Sequence, residues 1–162
     1  MEYTEIEETL QFQDFVTKAL FYKLGWSINV LASYKSNIEI GESLAGIEIK
    51  NDKKMAETGN LYIELYELSR TGKFVPSGIN RDDNSMIWCI GDKHKLYIIV
   101  KKVLKFLCEK YERFNFKKVE TETSKGILIP VKFLEQNDIY YITKLEFEVV
   151  EDDWIWKNAR TI

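Results

Sequence analysis

The chain has two cysteines, one histidine and two prolines in 162 residues, and no apolar run approaches the length of a membrane span. Each scarcity closes a class. Cys89 and Cys108 lie among apolar neighbours with no C-x-x-C spacing. They read as buried reduced thiols, which fits a cytoplasmic protein rather than a disulfide-stapled secreted one. One histidine and two separated cysteines exclude a zinc site of the Cys/His type. That histidine, His94, falls in the polar stretch 91–95 and reads as an exposed turn residue. Two prolines and eight glycines exclude low-complexity and collagen-like chains. There is no internal repeat, and the opening residues carry no signal-peptide pattern. Positive charge has no overall excess: 23 Lys and Arg stand against 26 Asp and Glu, a net charge of −3, so no global nucleic-acid signature exists.

What is present suits one α/β domain over residues 1–162, long enough to bury a core without staples. Charge is uneven along it. The first turns and the tail are acidic, while 93–118 holds nine Lys and Arg against Glu109 and Glu112. Such asymmetry fits either a phosphate-facing side or a solvated lysine-rich helix. Thr4 and Glu7 form a capping-box pattern that opens a helix running to about Leu24, stopped by Gly25. A first strand is expected over 26–32. Short apolar runs at 86–90 and 96–100 read as a hairpin, and 100–113 as a helix with a basic face. Further stretches read as loops (51–59 and 69–83), an extended connection (114–124), a short helical turn (131–135) and a last strand (138–150).

Three segments alternate with the period of a half-buried strand: 37–41, 46–51 and 60–67. Paired as neighbours with their faces aligned, they gather Glu39, Glu48, Lys50 and Glu64 on one side. Two carboxylates on adjacent strands suit Mg²⁺, a hard cation that takes oxygen ligands. Such a metal lowers the pKa of a bound water and neutralises charge on a phosphate, while a lysine nearby stabilises the developing anion. From alternation alone, these remain three amphipathic strands with a wet face.

A resemblance adds to this. Gly46-Ile-Glu-Ile-Lys-Asn-Asp52, with an acid on the preceding strand, resembles the core of the PD-(D/E)XK nuclease superfamily. Its E-x-K half is Glu48-Ile49-Lys50. Glu57-Thr-Gly-Asn60, the strand with Glu64, and Pro76-Ser-Gly-Ile79 are similar to a group of small phage and prophage proteins of that superfamily. The likeness covers roughly residues 36–90, with weaker support from Leu20 and as far as Pro130. The upstream acid is glutamate rather than aspartate, either Glu39 or Glu42, with Glu39 preferred because it lies within the alternating run. Asn80-Arg-Asp-Asp-Asn-Ser85 stands where the group tends to carry Thr-Lys-Ala-Asp.

The resemblance implies a restriction-endonuclease-like fold, a central mixed sheet of about five or six strands flanked by helices. Its core would span about 4–113, with 114–162 as an extension. It implies a Mg²⁺- or Mn²⁺-dependent endonuclease acting on DNA, with Glu39, Glu48 and the Ile49 carbonyl on the metal. Lys50 would orient the attacking water, and Glu64 would add a ligand or hold Lys50. Nucleic-acid contacts are expected from Lys53 and Lys54, from Ser77 and Arg81, and from Lys101, Lys102 and Lys105. Homodimerisation is common in the superfamily, because cutting both strands needs two sites. The location would be cytoplasmic, in the host cytoplasm for a phage-encoded chain. Two other readings stay open. One is an inactive nuclease-like domain that binds nucleic acid or a partner protein. The other is an interaction protein that uses Trp154 and Trp156 of the acidic tail.

Overall fold

A computed structural model describes residues 3–28, 43–137, 139 and 141–147. The expected strand at 37–41, most of the one at 26–32, and the tail with Trp154 and Trp156 lie outside the described residues. The first element is helix α1 (Tyr3–Leu24), which ends where Gly25 turns left-handed (φ 69°) and donates its N–H to the Phe21 carbonyl. Strand β1 (Ile47–Asn51) follows, then the short helix α2 (Met55–Thr58) and strand β2 (Asn60–Leu68). Strand β3 (Phe74–Pro76) and a 3₁₀ turn (Gly78–Asn80) come next. The hairpin β4 (Ile87–Gly91) and β5 (Lys95–Val100) leads directly into helix α3 (Lys101–Glu109). Strands β6 (Lys117–Glu120) and β7 (Ser124–Pro130), helix α4 (Val131–Gln136) and strand β8 (Ile142–Glu146) complete the order.

The protein is mixed α/β, but its strands form two sheets of four among the described residues rather than one. The first runs β1-β4-β5-β8, with β1 parallel to β4 and the other pairs antiparallel. The second runs β3-β2-β7-β6 and is antiparallel throughout. Residues after Arg113 are not an appendage: β7 is an inner strand of the second sheet and β8 pairs with β5. The loops expected at 51–59 and 69–83 hold α2 and β3 with the 3₁₀ turn, and the extended connection expected at 114–124 holds β6.

Alternation along β4 and β5 divides the interior in two. Cys89, Leu96 and Ile98 join Ile47 and Ile49 of β1 against Phe12, Phe15, Val16 and Leu20 of α1. Trp88, Ile90, Tyr97 and Ile99 point the other way. They meet Leu61, Ile63, Ile127 and Ile129 of the second sheet and Leu104, Leu107 and Cys108 of α3. Burial on both faces is why β4 and β5 read as nearly unbroken apolar runs. Each large side chain buried this way contributes roughly 1.5–3 kcal/mol. Cys89 and Cys108 are buried free thiols, as expected. Burial pushes the Cys108 thiol up to about 12. Among the described residues no helix is long and apolar enough to cross a membrane.

Asp52 explains why β1 and β2 are not neighbours. Its N–H extends the β1–β4 ladder by bonding the Gly91 carbonyl at 2.7 Å, and its Oδ2 accepts the Tyr62 N–H at 2.7 Å. Met55 of α2 is buried between these two anchors, and left-handed Gly59 then redirects the chain into the second sheet. Burial holds the Asp52 carboxyl above its ordinary range, against the lowering effect of its backbone hydrogen bonds.

Candidate active site

Glu48 and Lys50 share a face of β1 because they are two residues apart in a strand. Their face is the one that looks toward Trp88 and Ile90, so Glu48 is carried into the interior with them. The Glu48 side chain is 4% exposed and that of Lys50 is 39% exposed. The Lys50 ammonium lies 2.7 Å from Glu48 Oε1 and 6.0 Å from the centre of the Trp88 ring. Among the described residues Glu48 Oε2 has no hydrogen-bond partner, and neither has Nε1 of Trp88, the residue directly across the ladder. The large majority of buried side-chain polar atoms are satisfied. The Glu48 oxygen can accept from a water or meet a cation, whereas the indole N–H can only donate, as to a water. A carboxylate oxygen is an oxygen donor of the kind Mg²⁺ and Mn²⁺ take. Among the described residues no three His, Cys, Asp or Glu side chains gather to hold one. The acid expected to join Glu48, Glu39 or Glu42, lies outside them.

Glu64 does not join this pair. Its strand belongs to the second sheet, where Leu61 and Ile63 take the inner face and Glu64 shares the outer face with Tyr62. The expectation of adjacent strands with aligned faces is corrected on this point. Parity fixes a residue's face but not the neighbour of its strand. Glu64 Oε1 instead accepts a 2.6 Å hydrogen bond from Ser77 Oγ. Ser77 is fully buried, so the expected phosphate contact from its hydroxyl is also corrected: that hydroxyl positions Glu64. The glycine of the Ser-Gly-Ile motif has a steric reason. At Gly78 (φ 50°) a Cβ would stand 2.4 Å from the Glu64 carbonyl oxygen. Gly78→Ala is expected to cost about 2 kcal/mol through left-handed strain and this collision, read as a lower urea midpoint.

The basic residues scatter. Lys53 is an exposed partner of Glu8 on α1, and its hydrogen bond and charge hold the Glu8 carboxyl below the usual range. Lys54, Lys102 and Lys105 are exposed, and Arg81 is partly exposed. Lys101 is not on a basic surface. Its ammonium lies 2.8 Å from Asp83 Oδ1, 2.9 Å from Ser85 Oγ and 3.0 Å from the Arg81 carbonyl oxygen. The Asp83 side chain is 2% exposed. Burial alone would raise its carboxyl, but the bonds from Lys101 and Ser85 outweigh it and leave Asp83 below the ordinary range. Sequence reasoning missed both Asp83 and Trp88. Trp88 was legible only as part of an apolar run, and nothing in the polar stretch 80–85 singles out Asp83. His94 is exposed in the β4–β5 turn, as expected. Comparisons with protein-family models, curated proteins and solved structures gave no match.

Proposed function

We propose that this is a metal-dependent endonuclease that hydrolyses DNA phosphodiester bonds at Glu48 and Lys50. The observation that carries the reading is the buried Glu48 carboxylate, with one oxygen on Lys50 and the other without a partner among the described residues, on the end strand of the first sheet. A carboxylate is costly to bury, and an unsatisfied oxygen raises that cost, so such an arrangement points to a ligand. Glu48, the Ile49 carbonyl and Glu39 or Glu42 are the groups to hold Mg²⁺ or Mn²⁺. The ion, when bound, supplies an activated water and neutralises phosphate charge. Lys50 lies 2.7 Å from Glu48 and, being partly exposed, offers its ammonium to the anionic phosphorus centre. The E-x-K spacing and the following motifs agree with the superfamily resemblance. A second reading, binding of nucleic acid or a partner protein without cutting, is favoured by Lys50 already neutralising Glu48 and by Ser77 engaging Glu64.

The test is a Mn²⁺ titration of wild type and Lys50→Ala over labelled linear, nicked, flapped and branched DNAs. Cleavage by wild type is expected, with a loss of about a hundredfold or more in Lys50→Ala. Salt-sensitive DNA binding with no cleavage of any substrate would establish the second reading instead.

A further inference from the structure

We infer that the cleft between α3 and the second sheet is a separate, metal-independent binding site for a phosphate-bearing nucleotide unit. It encloses about 300 Å³, the lower end of the range for ligand pockets. Lys105, Lys118 and Lys125 line it against one carboxylate, Glu109. On a chain of net charge −3 this is a local reversal of sign. Lys105 and Lys118 are exposed and form no ion pair among the described residues. Lys125 is held in place, 2.6 Å from Glu120 and 4.1 Å from the centre of the Phe74 ring.

The rest of the lining is aromatic and apolar. Tyr66 is 38% exposed, and the Tyr111 hydroxyl bonds Glu112 at 2.9 Å, which restrains its ring. Leu65 and Ile127 add apolar surface beneath them. Unpaired ammonium groups attract a phosphate, and aromatic rings beside them accept a base face without regard to its identity. An acidic peptide would engage the lysines and leave the tyrosines and the apolar surface uncovered, so the lining favours a nucleotide. None of these residues belongs to the Glu48 site, and the inference stands independently of cleavage.

The experiment is fluorescence anisotropy of a labelled short oligothymidylate in EDTA, with thermal melts as a check on folding. Wild type is expected to bind in a salt-dependent manner. Lys105→Ala/Lys118→Ala should weaken binding about tenfold or more and shrink the log–log salt slope by about 1.4. Tyr66→Ala should weaken it about fivefold or more. Should the alanine pair unfold, Lys105→Gln/Lys118→Gln takes its place. Competition by thymidine monophosphate as effective as by unlabelled strand assigns the site to a free nucleotide. Competition by strand alone assigns it to a nucleotide within a chain. No wild-type binding, or equal binding by all variants, overturns the inference. Mn²⁺ affinity measured by calorimetry should be the same in the lysine variant and wild type, so failure here is distinguishable from failure at Glu48.

Discussion

Glu48→Leu is expected to abolish metal-dependent cleavage and at the same time leave the fold as stable as before or more so. The two effects share one cause. Among the described residues Glu48 is a nearly inaccessible carboxylate with one ion-pair partner and one orphaned oxygen. Taking a carboxylate out of water costs several kcal/mol, and a single ammonium offsets this only when the remaining lone pairs are also satisfied. Leucine removes the cost and fits the apolar face formed by Trp88 and Ile90. Lys50 is exposed enough to turn its ammonium to water. Replacing both members of a buried ion pair by apolar groups is neutral or stabilising by about 1–4 kcal/mol, and removing Glu48 alone leaves behind a part-exposed ammonium rather than a buried one. A domain of this size gains about 2–4 °C in Tm for each kcal/mol. Removing the carboxylate proposed to hold the metal should remove several kcal/mol of transition-state stabilisation, about a thousandfold in rate. Melts with and without Mn²⁺ check both halves. Wild type should gain Tm with Mn²⁺ by mass action, and Glu48→Leu should not. A variant that melts well below wild type while Mn²⁺ shifts neither protein would make Glu48 a structural ion pair and remove the proposed centre.

The same site shows how far sequence reasoning reaches. Periodicity placed Ile47, Glu48, Ile49 and Lys50 on the correct alternating faces, and β1, β2, the β4–β5 hairpin, α1 and α3 all lie where local pattern puts them. Local pattern carries no information about which strands adjoin. β1 pairs in parallel with β4, distant in sequence, and β2 turns away into another sheet behind Asp52 and Met55. Glu64 was misassigned for that reason, and Trp88 was missed for the same one: its place opposite Glu48 depends on a long-range register. β3 and the 3₁₀ turn are too short to show a period. Lys101 sits among charged residues at the start of α3, and its partner Asp83 belongs to a polar stretch without periodicity. Only tertiary packing turns that surface-like sequence into a buried ion pair.

That ion pair yields the other large effect, because it supports the strand that carries Glu48. Asn84 donates to the Ser43 carbonyl at 3.0 Å, and the Met86 N–H bonds the Gly46 carbonyl at 2.7 Å. The stretch 81–86, pinned to α3 by Lys101, thus braces the entry to β1. Lys101→Met keeps much of the side-chain stem but strands the Asp83 carboxylate with hydroxyl and backbone partners only. Leaving one member of a buried pair uncompensated costs about 3–5 kcal/mol, a loss of roughly 6–20 °C in Tm. The pH dependence identifies the cause. In the wild type Asp83 is held below its unfolded value, near 3.9 for an aspartate. Its stabilisation is therefore complete above that value and is lost as pH falls through the lower folded one. In Lys101→Met burial acts without the ammonium, and the carboxyl moves upward, so the variant is favoured as Asp83 protonates. The deficit relative to wild type should be full at pH 7 and shrink steadily below about pH 5. Asp52 is raised in both proteins and cancels from the difference. Urea denaturation at pH 7 and pH 4 measures it. An equal deficit at both values would mean that lost packing, not a stranded charge, governs this corner. In that case Asp83→Asn should be as damaging as Lys101→Met. If charge governs, Asp83→Asn should cost less, because the remaining Lys101 side chain is 15% exposed and its ammonium retains the Arg81 carbonyl and Ser85 hydroxyl as acceptors.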